Sequence, residues 1–266
     1  MEQLINLSTQ IPEHTTALEC EDWEQYKVDT YNKREGDLTG YDCDICKNKG
    51  DIAFVKDGVM TLKDCQCSKP RRSLKLIQKS GLSGILDDYT FDKYKIKEGW
   101  QKKVKASAEK FLTDNEGKWF YIGGISGSGK THICTAIVGN LLKQGYPSRY
   151  MLWRDEVVKL KGLVNYPEEY QEAIQPFKTV KVLYIDDFLK TKKGDKATGG
   201  DINIAFEILN NRYVNKNLIT IISSELSVEE VMNIDMAVGG RVYQRTKEYA
   251  IDVGNDKARN RRLNNG

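Results

Sequence analysis

Eight consecutive residues, Gly124-Ile125-Ser126-Gly127-Ser128-Gly129-Lys130-Thr131, follow the spacing G-x-x-x-x-G-K-T, which suits the phosphates of a nucleotide. Gly124, Gly127 and Gly129 let backbone N–H groups close around a β-phosphate, with Ser126 and Ser128 in the same turn. Lys130 can reach the β- and γ-oxygens, and the Thr131 hydroxyl can ligate Mg²⁺. Further on, the apolar run 180–185 ends in Asp186 and Asp187. An aspartate at such a strand end holds Mg²⁺ directly or through water, which fits Asp186. Asp187 is placed to polarise an attacking water as general base. The bland alternatives are a glycine-rich turn and a pair of helix-capping aspartates.

A second group carries metal chemistry. Cys43-x-x-Cys46 and Cys65-x-Cys67 are separated by eighteen residues. Two β-prone runs within 52–62 flank Asp57-Gly58, a two-residue hairpin signal. A hairpin returns both cysteine pairs to one place, and four thiolates there make a tetrahedral Zn²⁺ site. The second pair is spaced more tightly than usual for zinc. His14 shows no ligand spacing, and Cys20 and Cys134 read as buried or idle thiols.

These side chains need elements to position them. Residues 119–122, 148–153, 180–187 and 218–223 read as buried strands. Ile133, Ile137, Leu141 and Leu142 recur at helical spacing after the phosphate loop, and 201–215 forms another helix. Ser227-Val228-Glu229-Glu230 is a capping box, and a further helix opens after Gly239-Gly240. Strands alternating with helices give an α/β fold, a parallel sheet covered on both faces. The expected organisation is an acidic arm with the cysteine module over 1–70, a basic linker over 71–87 and an ATPase domain over 88–266.

The formal charge of +3 conceals an asymmetry. Residues 1–42 hold ten acidic and three basic side chains, whereas 69–110 hold twelve basic and five acidic. A protein partner for the first stretch and phosphates for the second would match. No apolar run long enough to span a bilayer is present and no secretory leader is evident, so a cytoplasmic protein is expected. The loop 190–200 is basic and glycine-containing, suited either to tracking a single strand's backbone or to solvent.

The two nucleotide motifs, the strand ending Ile222-Ser223-Ser224-Glu225-Leu226, the run Gly239-Gly240-Arg241-Val242-Tyr243-Gln244-Arg245 and the tail Asn260-Arg261-Arg262-Leu263 together resemble the AAA+ ATPases of the DnaC/DnaI helicase-loader group. The lead-in 89–94 is similar as well, so the resemblance covers about 88–263. A zinc module ahead of the core resembles the DnaI-type loaders, including those of bacteriophages. The resemblance implies ATP, Mg²⁺ and Zn²⁺ as cofactors and a hexameric replicative DNA helicase and single-stranded DNA as partners. It also implies ATP-dependent self-association. Arg241 falls where the group places its trans-acting arginine finger, with Arg245 one turn on, and Arg262 or Arg261 at a sensor position toward the γ-phosphate. Glu225 departs from the polar amide usual there, and Asp187 is one methylene shorter than the glutamate of many AAA+ enzymes. Both changes predict slow hydrolysis. Alternatives are a transposition ATPase of the IstB type acting on duplex DNA, and a nucleotide-binding adaptor or inhibitor of a replication protein.

Overall fold

The computed structural model describes residues 17–39, 42–77, 84–191 and 195–263, without the side chains of 17–22 and 73–77. His14, the Cys20 side chain and loop positions 192–194 lie outside the described residues. The chain divides into two compact units, Met1–Ser68 and Lys69–Gly266.

In the first unit a helix, α1 (Ala17–Lys33), lies against a hairpin formed by β1 (Asp51–Lys56) and β2 (Val59–Asp64). Asp57 and Gly58 turn the chain at φ 52° and 74°, the left-handed pair that a type I′ turn requires. Asp51 pairs with Asp64, so the residues flanking both cysteine pairs meet at the open end. Asn32 on α1 donates to the Ala53 carbonyl at 2.9 Å and accepts from the Ala53 N–H at 3.0 Å, occupying the free edge of β1. Glu24 accepts from the Met60 N–H at 2.7 Å, and Tyr31 donates to Asp51 at 2.6 Å. Part of the acidic arm is therefore helix, and some of its polar groups hold the hairpin.

A helix, α2 (Ser68–Ile77), occupies the start of the stretch that reads in sequence as a basic linker. The second unit then runs α3 (Gly99–Phe111), β3 (Phe120–Gly123), α4 (Lys130–Lys143), β4 (Ser148–Leu152), α5 (Trp153–Gly162), α6 (Pro167–Thr179) and β5 (Val182–Asp186). It continues with α7 (Gly199–Val214), β6 (Ile219–Ser223), α8 (Val228–Ile234), α9 (Met236–Thr246) and β7 (Ala250–Asp252). The five strands are parallel in the order β4-β5-β6-β3-β7.

The strands read as apolar runs because both faces are covered. Phe120, Ile122, Val182, Tyr184, Ile219 and Ile221 point to one core, with Phe111, Ile133, Ile137 and Leu141 from α3 and α4. The intervening Tyr121, Leu183, Ile185 and Ile222 point to the other, with residues of α5 to α9. Arg212 is fully buried on α7 and donates to the carbonyls of Phe177, Val180 and Ile219 and to the Thr220 hydroxyl. Burial pulls its pKa down to about 9, still above neutrality, so the guanidinium stays a charged tie between α7, α6 and the sheet.

Among the boundaries that differ from the sequence reading, two have a clear packing reason. Trp153 opens α5 instead of ending a strand, its ring being buried against Phe188. Helix α9 begins at Met236, capped by the Asp235 carboxylate accepting from the Val238 N–H at 2.8 Å, so Gly239 and Gly240 lie inside it. A Cβ on Gly239 would stand 2.5 Å from the Met232 backbone; the glycine marks close packing of α8 on α9, not a helix start.

Candidate functional site

The strand order decides which residues meet. β6 lies between β3, which leads into the phosphate loop, and β5, which ends at Asp186. The C-terminal ends of all three strands, where ligands bind in open α/β sheets, therefore form one edge. Gly124, Gly127 and Gly129 turn the loop at φ 115°, 77° and 95°. At Gly124 a Cβ would also stand 2.8 Å from the Gly254 carbonyl. Ser128 is buried and donates to Ile125 O at 2.9 Å, shaping the loop from inside. α4 then starts at Lys130, its free N–H groups and positive dipole end facing the loop.

A cleft of about 380 Å³ is lined by Ser126, Gly127, Gly129, Lys130, Thr131, Asp187 and Arg262, together with Tyr89, His132, Lys190 and Arg261. Lys130 Nζ donates to Gly124 O at 2.7 Å and to Ile125 O at 2.8 Å. Burial lowers its pKa, opposed by the charges of Glu225 and Asp187. Thr131 Oγ1 is 3.4 Å from Asp186 Oδ1. Two oxygens sharing an octahedral Mg²⁺ at about 2.1 Å stand about 3 Å apart, so this pair fits one hydrated cation. Tyr150 OH (3.0 Å), Ser223 Oγ and the Asp187 N–H (3.2 Å) also donate to Asp186, fixing its orientation.

Asp187 does not stand free. Its φ is +55°, and the turn it begins brings Lys190 back, with Lys190 N bonded to Asp187 O at 3.0 Å. Lys190 Nζ lies 3.1 Å from Asp187 Oδ2 and 3.0 Å from Glu225 Oε1. Burial works against the Lys190 charge, but bonds to Glu225 and Asp187 outweigh it and raise its pKa. Glu225 is thus one half of an ion pair. Nothing in the spacing 187, 190 and 225 says that these two loops meet, so the sequence does not show this ion pair.

The C-terminal tail reaches the same cleft. Arg261 N donates to Gly127 O at 2.9 Å, and the Arg261 guanidinium stacks 4.2 Å over the Tyr94 ring. Its Nε and Nη2 are buried without a hydrogen-bond partner among the described residues. His132 stacks on Tyr89 and donates from Nε2 to Thr90 O at 2.8 Å, tying the lead-in 89–94 to the start of α4. Tyr89 belongs to the lead-in and Lys190 to the basic loop noted in the sequence, and His132 to no motif, but only their packing against the phosphate loop places all three in the cleft.

Arg241 is not in this cleft. It lies on α9, where Nε donates to Asn210 Oδ1 at 3.0 Å and Nη1 to Ala237 O at 2.7 Å, with its guanidinium 4.5 Å over the Phe206 ring. Arg245, the second finger candidate, is buried and donates to the carbonyls of Gly117, Arg212 and Asn215. That role is corrected: its donors close off a chain junction and cannot reach a neighbour's phosphate. Cys134 is fully buried, its thiol pushed well up by desolvation.

In the other unit, the ligand atoms of Cys43, Cys46, Cys65 and Cys67 lie within 4.8 Å of one another, all buried. Cys43 Sγ is 3.7 Å from Cys65 Sγ, and Cys46 Sγ is 3.5 Å from Cys67 Sγ. Tetrahedral thiolates at about 2.3 Å from Zn²⁺ stand about 3.8 Å apart, so the donor set and its size are compatible with a zinc site. Lys47 and Asn48 take left-handed backbone and bring the Gly50 N–H to 3.3 Å from Cys46 Sγ. Burial pushes the Cys65 thiol up to about 12. Burial would raise Cys46 too, but the Gly50 N–H and neighbouring thiols bring it down to about 7. Four thiolates cannot share so small a volume unless a cation offsets their repulsion.

Comparison with known proteins places this geometry. Phage-like element PBSX protein XkdC of Bacillus subtilis (strain 168) is 28% identical over 230 residues, covering 82% of this chain and 85% of XkdC. YqaM of the same organism is 28% identical over 206 residues, 73% of this chain and 64% of YqaM. The crystal structure of the DnaC helicase loader is similar with a TM-score of 0.53 at 20% identity, over 65% of this chain and 99% of that one. The replication initiator DnaA bound to AMPPCP and single-stranded DNA is similar with a TM-score of 0.50 at 23% identity, over 64% of this chain and half of DnaA. The second unit is therefore an AAA+ P-loop fold like that of DnaC. Residues 63–242, well over half of the sequence, match the IstB-like ATP binding protein family, and the chain belongs to that family.

Proposed function

We propose that this chain is an ATP-dependent helicase loader that binds a hexameric replicative DNA helicase and delivers it to single-stranded DNA. One observation carries the reading: an ATP-binding core with the fold of a helicase loader is preceded by a separate unit built around four clustered cysteines. The similarity to a protein of a phage-like element supports the phage-type loader. ATP serves as a conformational switch in the proposed cycle, with turnover well below the ~10 per second median of enzymes.

In the hydrolytic step, a water oxygen bonds to the γ-phosphorus while the bond from γ-phosphorus to the β,γ-bridging oxygen breaks. The water's proton passes to the Asp187 carboxylate, and ADP and inorganic phosphate leave. Mg²⁺ on Thr131 and Asp186 would neutralise phosphate charge. Lys130 and the loop N–H groups hold the β- and γ-phosphates, and Arg261 and Arg262 flank them from the tail. Arg241, outside its own cleft, would act on the neighbouring subunit's nucleotide in an ATP-dependent oligomer. Residues 1–70 would grip the helicase and the basic core would meet DNA, in the cytoplasm.

The test is capture of purified replicative helicase from the host by the full chain with ATP, and helicase-dependent unwinding of a single-stranded circle carrying an annealed strand. Helicase that neither binds nor loads sinks the proposal. A second reading, a transposition ATPase on duplex DNA, is favoured by the name of the matched family. Duplex-DNA binding with capture of a transposase, and no helicase, would establish it instead.

A further inference from the structure

We propose that Lys190 reads the γ-phosphate: Glu225 holds its ammonium in the nucleotide cleft, and in the resting chain that same ammonium masks Asp187. The inference rests on the ATPase reading above. It deepens that reading by assigning a residue to γ-phosphate recognition.

Three observations carry it. First, Lys190 Nζ sits between two carboxylate oxygens, 3.1 Å and 3.0 Å away, that belong to the ends of different strands, β5 and β6. Second, Lys190 lines the same cleft as Lys130 and Thr131. Third, the backbone that delivers it is strained: Asp187 and Leu189 both have left-handed φ, at 55° and 56°, without being glycine. Such conformations persist where surrounding contacts over-determine them and gather at functional sites. Phe188, between them, is fully buried and donates its N–H to Ser223 O at 2.8 Å, locking the turn onto β6.

The chemistry follows from charge. One ammonium is shared by two carboxylates, so it is half-committed to each. A γ-phosphate brings more negative charge than the Asp187 carboxylate and offers several acceptor oxygens. Lys190 can turn to it while keeping its bond to Glu225, whose side chain comes from another strand end. Asp187 is then released from its ion pair and free to orient water. ADP has no γ-phosphate, so it leaves the pair closed. Glu225 is a positioning residue and Lys190 the group that touches nucleotide.

The test uses the full chain and measures ATP and ADP affinities by equilibrium titration with Mg²⁺, beside single-turnover hydrolysis. A charge-assisted hydrogen bond lost in Lys190→Met should weaken ATP binding roughly tenfold or more while ADP binding stays within about threefold. Retained ADP binding also shows that the variant is folded. Lys190→Arg should restore most of the preference for ATP. Glu225→Ala should lower the preference partway, because Lys190 loses its tether. If Lys190→Met and wild type discriminate ATP from ADP equally, the inference is overturned even though the chain is an ATPase. If wild type binds no nucleotide at all, the ATPase reading itself has failed.

Discussion

At the residue scale the site is a set of charges whose roles depend on what they touch. Lys130 is the one cation set inside the phosphate loop, so Lys130→Ala should abolish ATP binding in an equilibrium titration while leaving the thermal midpoint near that of wild type. Asp187 is the proposed base. Asp187→Asn keeps the shape and removes the acceptor of a proton, so ATP binding should persist while single-turnover hydrolysis falls by about 10²–10⁴-fold. Read in isolation, Glu225 is an obstacle to the γ-phosphate, and replacing it with an amide should speed hydrolysis. With Lys190 3.0 Å from Glu225, the expected sign reverses: Glu225→Asn shortens the tether and should slow single-turnover hydrolysis. A faster variant would mean that the ion pair restrains the site more than it serves it.

At the scale of elements, two helices decide the outcome. α8 and α9 pack so closely at Gly239 that a methyl group would meet the Met232 backbone at 2.5 Å. Gly239→Ala should destabilise the core by about 1–3 kcal/mol, read as a lowered midpoint in denaturant; an unchanged midpoint would show that α8 can shift freely. The same helix presents Arg241 on its surface, held by Asn210, Ala237 and the Phe206 ring. If it acts on a neighbour, Arg241→Ala binds ATP normally but does not hydrolyse it, and mixing it with Lys130→Ala restores part of the activity. Arginine fingers are worth about 10³–10⁵ in rate, so a partial rescue is readily seen. A mixture that stays inactive while wild type oligomerises would assign Arg241 to packing on α7 alone. Arg245 offers no substitute, since it is buried and both of its terminal nitrogens are bound to backbone carbonyls.

At the scale of the whole molecule, the two units are expected to fail separately. Protein purified reduced and without chelator should carry one zinc per chain by elemental analysis. Chelation should unfold the cysteine unit, whose small core depends on the cluster, and leave nucleotide binding by the core intact. Zinc-free protein with an unchanged far-ultraviolet spectrum and full partner binding would remove the metal from the account. Helicase capture should need residues 1–70, and a core that captures helicase equally well would transfer that role to the ATPase unit.

Sequence alone determined what depends on local spacing. The glycines, lysine and threonine of the phosphate loop and the aspartate at a strand end were legible because the chemistry fixes residue type over a few positions. The four cysteines and the Asp57-Gly58 turn between them were legible for the same reason. The central strands and helices α4 and α7 followed from apolar periodicity, and α8 from its capping box. By contrast, α1, α3, α5 and α6 were not marked, α2 lies at the start of a stretch that reads as a linker, and β7, Ala250-Ile251-Asp252, is too short and too polar to signal. Tertiary structure decided everything that depends on which loops meet. Inserting β6 between β3 and β5 is a matter of topology, and it alone brings Glu225 to Lys190 and Ser223 to Asp186. It also separated three arginines that look alike in sequence: Arg261 on the phosphate loop, Arg245 sealed inside, Arg241 outside. Charge and spacing do not record burial, and burial is what tells these three apart.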